Sequence, residues 1–107
     1  MRLLLWRGGL RRRARPGTLR TAGSADLAHL AEFAQSRPGV EAYLEPRTTV
    51  TDATVVLVAP TGEWTRRRIG GEQQAASFAK KHAIPLYDAV KVGYPARMRE
   101  WSARHKD

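Results

Sequence analysis

Seven arginines and no acidic residue stand in the first twenty positions of the chain: Arg2, Arg7, Arg11, Arg12, Arg13, Arg15 and Arg20. A guanidinium is a permanent planar cation with five N–H donors. A cluster of them neutralises phosphates and releases counterions, giving binding that weakens steeply with salt and carries little sequence information. Arg7, Arg11, Arg12, Arg13, Arg15 and Arg20 are therefore the first candidate contacts to an anion or a nucleic acid. The competing reading is a solvated extension that keeps the chain soluble. Arginine outnumbers lysine 15 to 4, a bias that a GC-rich genome produces on its own. Leu3 to Trp6, flanked by arginines, could also lie in an anionic membrane interface, but so short a patch binds weakly.

The second basic feature is Arg66-Arg67-Arg68. Side chains alternate along a strand, so Arg66 and Arg68 point one way and Arg67, beside Ile69, the other. An open sheet face carrying Tyr43, Trp64, Arg66 and Arg68 would offer the stacking and cationic groups that single-stranded nucleic acid uses. The plainer alternative is cross-strand pairing, with Glu45 against Arg66 or Arg68.

Catalytic patterns are sparse. His29, His82 and His105 are dispersed, and their neighbours give no two-His or Glu-His metal spacing. Ser77, His82 and Asp88 can be written as a triad, although a triad is defined by geometry rather than by order. Gly70-Gly71 precedes a helical segment, where free amides bind anions, but Glu72 follows and the Lys-Ser/Thr pair of a P-loop is missing. There are no cysteines, which removes disulfides, thiolate metal sites and thiol nucleophiles together. No catalytic, cofactor-binding or metal-ligating residue is assigned, and no cofactor is expected.

The elements that must position these residues follow from periodicity. Residues 1–23 read as a basic, disordered arm broken by Gly8-Gly9 and Pro16-Gly17. Residues 24–107 read as a single domain. Ser24 suits an N-cap, Asp26 the first turn, and Leu27, Leu30, Ala31 and Ala34 one helical face ended by Pro38-Gly39. From Val40 the period becomes two, up to Pro46, which points to an edge or a bulge. Thr54 to Ala59 is apolar on both faces and suits a central strand. Pro60-Thr61-Gly62 predicts a hairpin returning as a strand over Glu63 to Ile69. A helix follows over Glu72 to His82, with Ala75, Phe78 and Ala79 inward, then a strand over Leu86 to Val92. Pro95 opens a last helix, frayed at its charged end. The expected fold is α+β in the order α-β-β-β-α-β-α: an antiparallel three-stranded meander plus a fourth strand, with the helices packed on one face.

The stretch Val40 to Val50, the hairpin Gly62 to Arg68 and the segment Gly93 to Arg99 resemble a family of small uncharacterised actinobacterial proteins, over about residues 24 to 101. The resemblance implies a cytoplasmic bacterial protein and supplies no catalytic residue. The order of the first five elements also resembles that of double-stranded RNA-binding domains. That family's lysine-rich start of the second helix is replaced here by Gly71-Glu72-Gln73-Gln74, so the likeness stops at topology.

Charge completes the reading. Of a formal net charge of +9, the first twenty residues supply +7, leaving 12 basic and 10 acidic side chains in the other 87. No stretch approaches the roughly 20 apolar residues of a membrane span, and Leu3 to Trp6 falls short of a signal-peptide core of about 7 to 15. The sequence thus points to a non-enzymatic binding module whose arm contacts nucleic acid or a ribonucleoprotein. A protein-interaction or oligomerisation module, using the open sheet face or an edge near Pro46, is the alternative. A small enzyme is the third.

Overall fold

The computed structural model describes residues 23–106. Its elements are α1 (Ser24–Ser36), β1 (Glu41–Glu45), β2 (Thr54–Val58), β3 (Trp64–Arg68), α2 (Glu72–Lys81), β4 (Leu86–Asp88), α3 (Ala89–Val92) and α4 (Ala96–Arg104). This is the expected α+β class in the expected order, with the one-turn α3 added before the last helix. The segment read as an arm lies, except for Gly23, outside the described residues.

The N-cap of α1 is Gly23, one residue before the predicted Ser24. Asp26 Oδ2 accepts from the Gly23 N–H at 3.3 Å, which ties off an end that glycine cannot cap with a side chain. The segment predicted as a strand over Leu86 to Val92 is extended only to Asp88. The Asp88 carboxylate accepts from the N–H groups of Val90 at 2.8 Å and Lys91 at 3.3 Å, and this cap starts α3 in place of a longer strand.

The described residues form one mixed sheet in the order β3-β2-β1-β4. β2 lies antiparallel to both β1 and β3, with Val56 opposite Tyr43 on one side and Arg66 on the other. β4 runs parallel to β1 and sets Tyr87 beside Tyr43. The doubly apolar β2 is an inner strand, as its composition requires. Pro46 does not mark an edge, because β1 is paired on both sides and ends at Glu45, so the missing N–H falls past the ladder.

Alternation along the inner strands decides the layers. Ala42, Leu44, Val55 and Leu57 face Leu30 and Phe33 of α1 and Ala75, Phe78 and Ala79 of α2, closing the main core. Tyr43, Val56 and Val58 point the other way and pack under Ala89 and Met98, joined by Trp64 and Tyr94. Helices therefore cover both faces, which corrects the expectation that they lie on one. A strand as apolar as β2 on both sides needs two covers.

The second cover depends on Gly62. The hairpin closes with the Ala59 N–H donating to Glu63 O and the Gly62 N–H to Ala59 O, each at 2.8 Å. Gly62 has φ +98°, and a Cβ there would stand 2.1 Å from Arg97 O. Glycine both permits this left-handed turn and lets α4 approach the hairpin.

Candidate functional site

The four residues expected on an open sheet face do share a face, but α4 lies over part of it. Trp64 Nε1 donates to Ser102 Oγ of α4 at 2.8 Å. Tyr43 is only 5% exposed. Its hydroxyl donates to Glu41 Oε1 at 2.9 Å, and Arg97 of α4 donates to the same oxygen at 2.8 Å. Arg66 grips Glu45 with two N–H donors at 2.8 and 2.9 Å, crossing over β2, and its guanidinium lies 5.4 Å from the Trp64 ring centre. Arg68 stands 3.9 Å from Asp52. The cross-strand pairing of Glu45 with Arg66 is thus present. The aromatic members are turned inward and do not form a bare stacking platform.

Glu45 is the hub of this face. Besides Arg66 it accepts from the hydroxyls of Thr54 and Tyr94. Burial pushes its carboxyl up, while the donors Arg66, Thr54 and Tyr94 outweigh that and hold it below the usual carboxylate range. Glu41 is held low by Arg97 and then by Tyr43. The Tyr43 phenol is pushed up to about 12, first by burial and then by its bond to Glu41. Each of these shifts has a structural partner that accounts for it. None leaves an unpaired acid or base facing a cleft, as proton transfer to a substrate would need.

A second cluster joins α1 to β3. His29 Nε2 lies 2.7 Å from Thr65 Oγ1, Arg67 Nη2 lies 3.4 Å from His29 Nδ1, and Arg67 Nη1 lies 3.7 Å from Asp26. A guanidinium can only donate, so Nδ1 must accept and Nε2 must carry the proton that goes to Thr65. In this arrangement the imidazole cannot take a proton from the threonine, and the cluster is a clamp between helix and strand. The paper triad also fails as a unit, because Asp88 is spent capping α3 while His82 rests its ring 4.6 Å from that of Phe78. Among the described residues, three or more His, Asp or Glu side chains nowhere converge as a metal site would require.

The feature that sequence reading missed is a groove of about 1060 Å³ between α1 and α2. Leu27, Ala31, Ile69 and Phe78 make its apolar lining, with Arg47 and Lys81 at the rim and, among the described residues, no carboxylate in its walls. Leu27 had the right spacing for the core yet stays 42% exposed, because α1 turns Leu30 and Phe33 to the sheet. The signal in the sequence was this surplus: more apolar positions on α1 than one sheet contact can bury. Gly70-Gly71 lies at one end of the groove, where Arg47 Nη2 donates to Gly70 O at 2.9 Å. Gly70 serves there as a left-handed turn at φ +91°.

The candidate contacts Arg7, Arg11, Arg12, Arg13, Arg15 and Arg20 lie outside the described residues. No helix among the described residues is long and apolar enough to cross a membrane. No protein-family model matches the chain, and no curated protein or solved structure matches it either.

Proposed function

We propose that this chain is a non-enzymatic binding module of the bacterial cytoplasm that attaches to nucleic acid, or to a ribonucleoprotein, through its arginine-rich N-terminal segment. The observation that carries the reading is the segregation of charge: +7 over the first twenty residues against +2 over the rest. The folded part supports it by contrast, since Arg37, Arg66, Arg67, Arg68 and Arg97 all stand within 4 Å of a carboxylate. The densest run of cations without an acidic neighbour in sequence is then the N-terminal segment, which suits it to phosphate. The test is fluorescence anisotropy with single-stranded RNA and duplex DNA at low salt. It compares the full chain with a variant in which Arg7, Arg11, Arg12, Arg13, Arg15 and Arg20 are glutamine. Binding should collapse in the variant; undiminished binding would sink the reading.

A second reading, a protein-interaction module, draws support from the groove between α1 and α2. Apolar lining left at the surface between two helices is the kind of feature at which partners dock.

A further inference from the structure

We infer that the groove between α1 and α2 receives an acidic amphipathic helix from a partner protein, an inference that rests on the protein-interaction reading. The two helices divide the sheet, α1 resting on β3 and β2 and α2 on β1 and β4, and the described residues leave the space between them open. Its length follows α2, whose ten residues rise about 15 Å. One end carries Arg47, anchored on Gly70 O, and the other carries Lys81, the last residue of α2. Between them lie Leu27, Ala31 and Phe78, and among the described residues no acidic side chain lines the groove.

Each of these features selects the occupant. An open groove covers one side of what it binds, which suits a helix that buries one apolar stripe. A small ligand held by its whole surface needs a closed pocket. A helix of two to three turns, roughly 10 residues, matches the length and can set apolar anchors at i, i+3 or i+4, and i+7 against Leu27, Ala31 and Phe78. Carboxylates near its two ends then meet Arg47 and Lys81. The chain's own N-terminal segment has the opposite character, because its seven arginines would meet these cations with like charge.

The test uses two synthetic helical peptides with the same leucine spacing, one carrying glutamate and the other lysine at every polar position. Each is titrated into the full chain by fluorescence anisotropy, with amide shifts followed by NMR. The glutamate peptide should bind at least about tenfold more tightly than the lysine peptide, with shifts centred on Ala31, Ser77 and Phe78. Leu27→Glu and Lys81→Glu should each weaken it by about tenfold. The N-terminal arginines are the same in all three proteins, so their attraction for the peptide cannot produce that drop. Leu27 and Lys81 are exposed, so both variants should fold; if Leu27→Glu does not, Lys81→Glu decides. Equal affinity for the two peptides, binding of neither, or full affinity in the variants would each overturn the inference. Self-association of the full chain in sedimentation that Leu27→Glu abolishes would also overturn it, while leaving the interaction reading intact with a second copy as occupant.

Discussion

At the scale of single residues, the charged and hydroxyl groups around Glu45 serve the fold. Glu45 takes hydrogen bonds from Arg66, Thr54 and Tyr94, and so links β1, β2, β3 and the segment before α4. Glu45→Gln keeps the shape but removes the charge, and should lower stability by about 1–2 kcal/mol, discounted for partial exposure. Urea unfolding at pH 7 measures this, and a loss near zero would show that water satisfies the same donors. The carboxyls of Glu41, Glu45 and Glu63 sit below their unfolded values, so their contribution is present above those values and is lost as pH falls through the lowered ones. Tyr43 has the opposite sign. Its phenol is raised from near 10 to about 12, so the stability it adds is complete below about pH 10 and disappears as pH rises through about 12. Urea midpoints between pH 8 and 12 should fall more steeply in the wild type than in Tyr43→Phe; parallel curves would remove Tyr43 from the alkaline limb.

Elements are bounded here by local devices, one of which breaks the usual residue choice. At the end of α2 the Ile84 N–H donates to Ala79 O at 2.8 Å and the Ala83 N–H to Lys80 O at 3.2 Å, with Ala83 at φ +56°. This is a Schellman closure with alanine where glycine is the unstrained residue. Ala83→Gly should therefore stabilise the chain by about 0.5–1 kcal/mol, the relief of strain exceeding the added chain entropy. A lower urea midpoint would contradict this account. At the hairpin the reverse holds, since Gly62→Ala forces a Cβ into the Arg97 carbonyl. That variant should lose about 2–4 kcal/mol and release α4 first, seen as faster amide exchange over Ala96–Arg104.

The same devices explain what sequence can and cannot tell. The doubly apolar β2, the hairpin at Pro60-Thr61-Gly62 and the inward face of α2 were legible because period and turn chemistry are local. That α4 crosses to the opposite face was not, because its docking depends on a missing Cβ at Gly62 and on Trp64 reaching Ser102, contacts 35 or more residues apart. The break of the fourth strand at Asp88 was hidden by Val90 and Val92, which continue the strand's alternation while standing 79% and 59% exposed. The groove escaped for a related reason, since spacing marks Leu27 as apolar but cannot say that nothing in residues 23–106 covers it.

The whole molecule separates charge from packing. One sheet is covered on both faces, and Arg37, Arg66 and Arg97 each pair with a carboxylate of the described part. Its residues 21–107 sum to +2, so they add little long-range field to the +7 before them. Counterion release then makes a quantitative demand. If all seven N-terminal arginines engage phosphates, the slope of log K against log salt should approach about −5 on single-stranded RNA and about −6 on duplex DNA. With the six arginines Arg7, Arg11, Arg12, Arg13, Arg15 and Arg20 replaced by glutamine, Arg2 alone remains and the slope should flatten to about −1. Leu27→Glu, which alters the groove and leaves the N-terminal arginines intact, should shift that slope little. Anisotropy over a salt series measures all three proteins. A steep slope that survives in the glutamine variant would move phosphate binding onto the folded body, and a slope that flattens in Leu27→Glu would join the groove to the nucleic-acid site, ending the division of labour between the two.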